Sequence, residues 1–79
     1  MDDYKFLLGF NKLRQIEAKI LVYLLQNGKG KQAEIGRDIS ESRQNVYHSA
    51  LRLIDAGLIV RDGKEYKLAD DWTEKIRVL

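Results

Sequence analysis

Arg43, Gln44, Asn45, His48 and Arg52 lie on one side of the stretch SRQNVYHSALRLIDAG, residues 42–57, and each can donate hydrogen bonds. Arg43, His48 and Arg52 can also carry positive charge, and the amides of Gln44 and Asn45 can pair bidentately with adenine. On the other side Val46, Ala50, Leu53 and Gly57 recur at helical spacing, one narrow stripe for a core. Ser42 suits an N-cap and Gly57 a stop, which predicts a helix over 42–56. Donors and cations on an exposed helical face are what reading base edges in a major groove requires.

Each of these side chains also has a plainer reading. Arg43 is otherwise an exposed arginine near Glu41, and Asn45 a local cap partner of Ser42. Tyr47 either meets a phosphate or a thymine methyl, or sits partly buried beside Ala50 and Ile54. His48 is the only histidine and the one group that changes charge near neutral pH, read either as a DNA contact or as an ordinary surface residue. Arg52 reaches phosphate or pairs with Asp55 three positions on. Lys29, Lys31 and Lys64 act as general phosphate partners through counterion release.

The rest of the chain must hold that helix in place. An apolar cluster over 1–10 (Tyr4, Phe6, Leu7, Leu8, Phe10) reads as a short helix or extended arm. Asn11 can cap a first helix over 11–27, with Leu13, Ile16, Ile20, Tyr23 and Leu24 on one face and Ala18, Leu21, Val22 and Leu25 on another, so both faces need cover. The segment GKGK, 28–31, reads as a flexible basic connection and lacks the spacing of a P-loop. A short helix over 32–39 and a tight turn at Ser40-Glu41 follow, with the small Gly36 where two helices would pack. Asp62-Gly63 signals a two-stranded hairpin over 58–69. Asp70 or Asp71 can cap a last helix over 71–78 that sets Trp72, Ile76 and Leu79 on one face. Leu51 and Ile54, apolar where a groove-facing helix is often polar, are expected to pack under it through Trp72 and Ile76.

Seventy-nine residues without repeats, proline or linker make one domain with a small core. The absence of cysteine excludes disulfides and thiolate zinc sites, and the longest apolar run, Ile20 to Leu25, is far below a membrane span of roughly 18 residues. With Asp2 and Asp3 against a signal peptide, the chain reads as cytoplasmic. Net charge is only +2, yet between Tyr4 and Ala69 twelve Lys and Arg face seven Asp and Glu. A basic body attracts polyanions, although a solvated charged surface is the ordinary alternative.

Three helices followed by a hairpin, with AEIGRDI in the second helix, SRQNV opening the third and LRLIDAGLIVR where it meets the hairpin, resemble the winged helix-turn-helix of small bacterial and archaeal regulators of the MarR, ArsR and TrmB groups. The resemblance covers about 60 residues and implies an α+β, mostly α fold. It is a three-helix core plus a two-stranded β-hairpin wing, with a short C-terminal helix. It further implies that Arg43, Gln44, Tyr47 and His48 approach the major groove and that Arg61 and Lys64 meet phosphates from the wing. The wing is short and lacks the D-x-R element of MarR wings, and no ArsR-type metal cluster can be assembled. A separate ligand domain, as in TrmB, has no room, so neither a cofactor nor a small-molecule ligand is expected.

The expected function is a sequence-specific double-stranded DNA-binding transcription regulator, a repressor of the small archaeal, plasmid or viral kind. Its candidate DNA-binding set is Lys31, Ser42, Arg43, Gln44, Asn45, Tyr47, His48, Arg52, Arg61 and Lys64. A homodimer built from the arm, the first helix and the last would cover the surplus apolar surface and present two reading helices to a near-palindromic operator. The alternative is a winged-helix protein-interaction module in a transcription or replication assembly, favoured by Tyr47, Leu51 and Ile54. An enzyme is not expected, since one histidine and no cysteine leave little from which to build a catalytic site.

Overall fold

Two of the helices start with the same device. In α1 (Gln15–Asn27) and α2 (Gln32–Ile39) a glutamate in the first turn reaches back to a backbone N–H left without a helical partner. Glu17 Oε1 accepts from Arg14 N at 3.0 Å, and Glu34 Oε1 accepts from Lys31 N at 3.0 Å. The computed structural model describes residues 13–77, so the expected arm over 1–10 and the place of Leu79 lie outside the described residues, while the first helix, expected from Asn11, starts only at Gln15 because Arg14, in extended backbone, takes the cap position. Gly28, at φ 83°, ends α1 and donates to Leu24 O at 2.8 Å.

Between α1 and α2 the segment expected as a flexible connection forms a strand instead. This is β1 (Lys29–Lys31), antiparallel to β3 (Glu65–Leu68), with Gly30 opposite Tyr66. β3 is central, flanked on its other side by β2 (Ile59–Asp62), so the hairpin is completed into a three-stranded sheet. The hairpin turns on Gly63 and Lys64, one residue later than Asp62-Gly63 suggests. Gly63 holds the positive φ (64°) in first loop position and Lys64 does not share it.

Helix α3 (Arg43–Asp55) is held at both ends. Ser42 Oγ accepts from Asn45 N at 3.1 Å. At the far end Leu58 N donates to Leu53 O and Gly57 N to Ile54 O, both at 2.9 Å, with Gly57 at φ 79°. That is a Schellman closure, and its usual apolar contact is supplied by Leu53 and Leu58, both buried. The last helix, α4 (Trp72–Arg77), buries Ile76.

Ala18, Ile20, Leu21 and Leu24 of α1 meet Ile35 of α2, Val46, Ala50 and Leu53 of α3, and Leu58, Ile59 and Tyr66 of the sheet in one cluster. The two apolar faces of α1 are thus largely covered, leaving Leu25 49% exposed. Trp72 and Ile54 pack against the cluster from its rim. Leu51 does not join them: it is 43% exposed, because it stands opposite the buried stripe of α3 and out of reach of its cover.

The turn between α2 and α3 depends on a close backbone approach. Glu41 N donates to Gly36 O at 2.8 Å, and a Cβ built on Gly36 would meet Glu41 O at 2.8 Å. Alanine favours a helix interior by about 1 kcal/mol over glycine. Here the clash is with backbone and outweighs that gain, so Gly36→Ala is expected to lose about 1 to 2 kcal/mol net. A urea midpoint that rises instead of falling, at unchanged slope, would show that the turn yields without cost.

Candidate nucleic-acid interface

The exposed crest of α3 is narrower than the donor set on its sequence. Gln44, Tyr47, His48 and Leu51, at spacings of three and four, are all exposed and lie opposite the buried Val46, Ser49, Ala50 and Leu53. Tyr47, 38% exposed, meets His48 ring edge to ring face, with centroids 5.6 Å apart and planes at 61°. Arg43 and Asn45 are exposed on the two flanks of the crest. Asn45 is partly engaged: its backbone N–H goes to the Ser42 cap and its Nδ2 donates to Glu41 Oε1 at 3.4 Å.

A second bond fixes where that crest begins. Gln32 Nε2 donates to Arg43 O at 3.1 Å, so the first residue of α2 is tied to the first residue of α3. Two helix N-termini, each with partial positive charge, are brought side by side, with Lys31 preceding one and Arg43 opening the other. Nothing in the sequence around Gln32 signals this, because its partner lies eleven residues on in another helix.

Arg52 was expected on phosphate, or paired with Asp55, and the structure gives it a different partner. Its Nε donates to Glu17 Oε2 of α1 and its Nη2 donates to Ser49 Oγ at 3.1 Å. The Glu17 side chain is only 7% exposed and accepts Arg14 N with its other oxygen, so both carboxylate oxygens are occupied. A buried carboxylate attracts the nearest guanidinium far more strongly than solvent-screened phosphate would. The guanidinium is therefore held down against α1, on a flank of α3 away from the crest.

At the wing, Arg61 Nε donates to Gly63 O at 3.1 Å while its guanidinium lies 5.8 Å from the Tyr66 ring centroid, so the side chain is folded over the turn. Lys64 is exposed at the tip. On the outer face of the sheet Lys29, Lys31 and Lys67 alternate with Asp62 and Glu65, and the pairs Lys29–Glu65 (3.5 Å) and Lys67–Asp62 (3.8 Å) connect neighbouring strands. Exposed pairs of this kind contribute about 0 to 1 kcal/mol each and exchange readily for phosphate.

A groove of about 330 Å³ between α1 and α2, lined by Lys19, Val22, Tyr23, Gln26, Asp38, Ile39 and Ser40, contains none of the α3 or wing residues. The Tyr23 phenol there is held above its usual range, by burial first and then by the carboxylates of Glu34 and Asp38. Its stabilising contribution is present below the pKa of the unfolded phenol and is lost as pH rises through the folded one. Among the described residues no helix is long and apolar enough to cross a membrane. Among them, too, no three His, Cys, Asp or Glu side chains are grouped to hold a metal.

Compared with known proteins, residues 8–70 match the family model described as sugar-specific transcriptional regulator TrmB, which covers most of the chain. No curated protein and no solved structure matches it.

Proposed function

The chain belongs to the TrmB family of transcriptional regulators, whose DNA-binding module is a winged helix-turn-helix, and from that premise we propose a sequence-specific double-stranded DNA-binding repressor that lays α3 in the major groove. The observation that supports this reading most is the crest of α3. It is exposed, begins at a capped and anchored N-terminus, and carries no acidic residue before Asp55, the last residue of the helix. Arg43, Gln44, Asn45 and His48 read bases, Tyr47 contacts the groove beside them, and Ser42 holds the N-terminus at the backbone. Lys31, Arg61 and Lys64 hold phosphates. Arg52 acts at one remove, fixing α3 to α1 through Glu17. The protein works in the cytoplasm as a homodimer through α1 and α4, a reading supported by Leu25 exposed on α1, and it meets half-sites about one helical turn apart.

Fluorescence anisotropy on a duplex from upstream of the protein's own gene and on a scrambled duplex, across a salt series, tests the reading. A preference of roughly a thousandfold or more is expected. Equal affinities that fall together with salt would leave only electrostatic anchoring. In the same assay Arg43→Ala is expected to weaken specific binding by about 2 kcal/mol, close to thirtyfold, with thermal stability unchanged. If the loss is equal on scrambled DNA, Arg43 holds phosphate and does not read sequence.

A further inference from the structure

Leu51 is left unexplained by a base-reading set made only of hydrogen-bond donors. It stands two turns into α3, on the same crest as Gln44 and His48, and is 43% exposed beside the 38% exposed Tyr47. Neither side chain is covered by α4, which takes Ile76 into the core and leaves Trp72 at its rim. Continuity indicates the occupant of this apolar strip: it lies between Arg43, one turn before Tyr47, and Asp55, one turn after Leu51, on the same crest as Gln44 and His48 that the proposed function lays in the major groove.

Within a duplex, the major-groove edge of only one base offers an apolar group, the C5-methyl of thymine. An adenine edge offers instead the acceptor and donor that the Gln44 amide can pair with. We infer that Leu51, with Tyr47, is a specificity-determining contact to thymine methyl groups, and that the operator carries thymine where the second turn of α3 crosses the groove. The inference rests on the reading of the chain as a major-groove binder and adds to it a base identity and the side chain that selects it. The edge-to-face contact of Tyr47 with His48 places the phenol ring next to a hydrogen-bonding ring, so one turn of α3 presents an apolar and a polar reader side by side. Opposite a G·C pair the leucine would lose water without gaining a methyl contact, so it disfavours that pair.

The test uses the full chain. A duplex is enriched from a random 20-base-pair library by repeated binding, and each thymine of the enriched duplex is then replaced by deoxyuridine, which pairs identically but lacks the methyl. At least one position in each half-site is expected to bind about fourfold more weakly after demethylation, the equivalent of one buried methyl group. With Leu51→Ala that sensitivity should vanish at the same position, while sensitivity to base changes at the other positions of the half-site is retained. Wild-type protein indifferent to every demethylation overturns the inference without recourse to any variant. So does an undiminished sensitivity in Leu51→Ala. Indifference accompanied by self-association that Leu51→Ala abolishes, read by analytical ultracentrifugation, would assign the strip to a second copy of the chain instead. Failure to enrich any duplex would remove the DNA-reading function itself, and the inference with it.

Discussion

Tyr66→Ala is expected to remove about 4 kcal/mol of folding free energy, the largest loss of any single substitution considered for this chain. Among the described residues Tyr66 is the largest of the fully buried side chains, and it sits on the central strand, opposite Gly30 of β1 and Arg61 of β2. Removing its ring leaves a cavity that glycine on one side cannot fill, and takes away the surface over which the Arg61 guanidinium lies. A domain of this size has only about 5 to 15 kcal/mol in total, so the variant should populate unfolded chain near physiological temperature. Urea denaturation of Tyr66→Ala beside Tyr66→Phe separates ring from hydroxyl. The phenylalanine variant should lose under about 1 kcal/mol, because it keeps the buried ring and leaves no cavity. Comparable losses in the two would mean that the hydroxyl, and not the packing, stabilises the sheet.

The second large effect concerns the Glu17–Arg52 pair and is directional. Arg52→Ala strands a carboxylate whose side chain is 7% exposed, while Glu17→Gln strands a guanidinium that is 42% exposed and can turn to water. Stranding a fully buried partner costs about 3 to 5 kcal/mol, and the exposure of Arg52 moderates this to about 2 to 3. Glu17→Gln, which keeps an oxygen for Arg14 N, should lose about 1 kcal/mol. Equal losses would contradict the asymmetry. DNA binding gives a second readout. A phosphate-bound arginine contributes about 0.9 to the salt slope on random duplex, whereas a positioning arginine leaves that slope unchanged and loses affinity only for the specific site. A slope that drops in Arg52→Ala would return Arg52 to the phosphate contacts.

What the sequence made legible, and what it hid, follows the range of the interactions. The period of Val46, Ala50 and Leu53, the Ser42 cap and the Gly57 stop are local, and α3 could be read from them, as could the three-helix core and wing. Strand β1 could not, because GKGK lacks β-prone residues and is a strand only by pairing with residues 65–67, more than thirty positions away. The Arg52 partner was hidden for the same reason. Helical spacing offered Asp55, while the carboxylate that takes the guanidinium is 35 residues upstream and gains its strength from burial. Leu51 is an intermediate case. Its position opposite the buried stripe follows from helical arithmetic alone, but whether α4 would cover it depended on packing.

Strand β1 also determines how copies of this chain can meet. A sheet grows by accepting another strand along an unpaired margin, and β1 closes one margin of β3 with only three residues, a lysine at each end and a glycine between them. The other margin, β2, ends in Arg61 and Asp62. Short, charged margins resist strand addition from a neighbouring molecule, since each docking strand would have to desolvate those charges for few backbone bonds. Among the described residues such margins disfavour the open-ended stacking that leads to fibres, and the proposed pairing of copies is expected on the helical faces, where contacts can close on themselves as a symmetric pair.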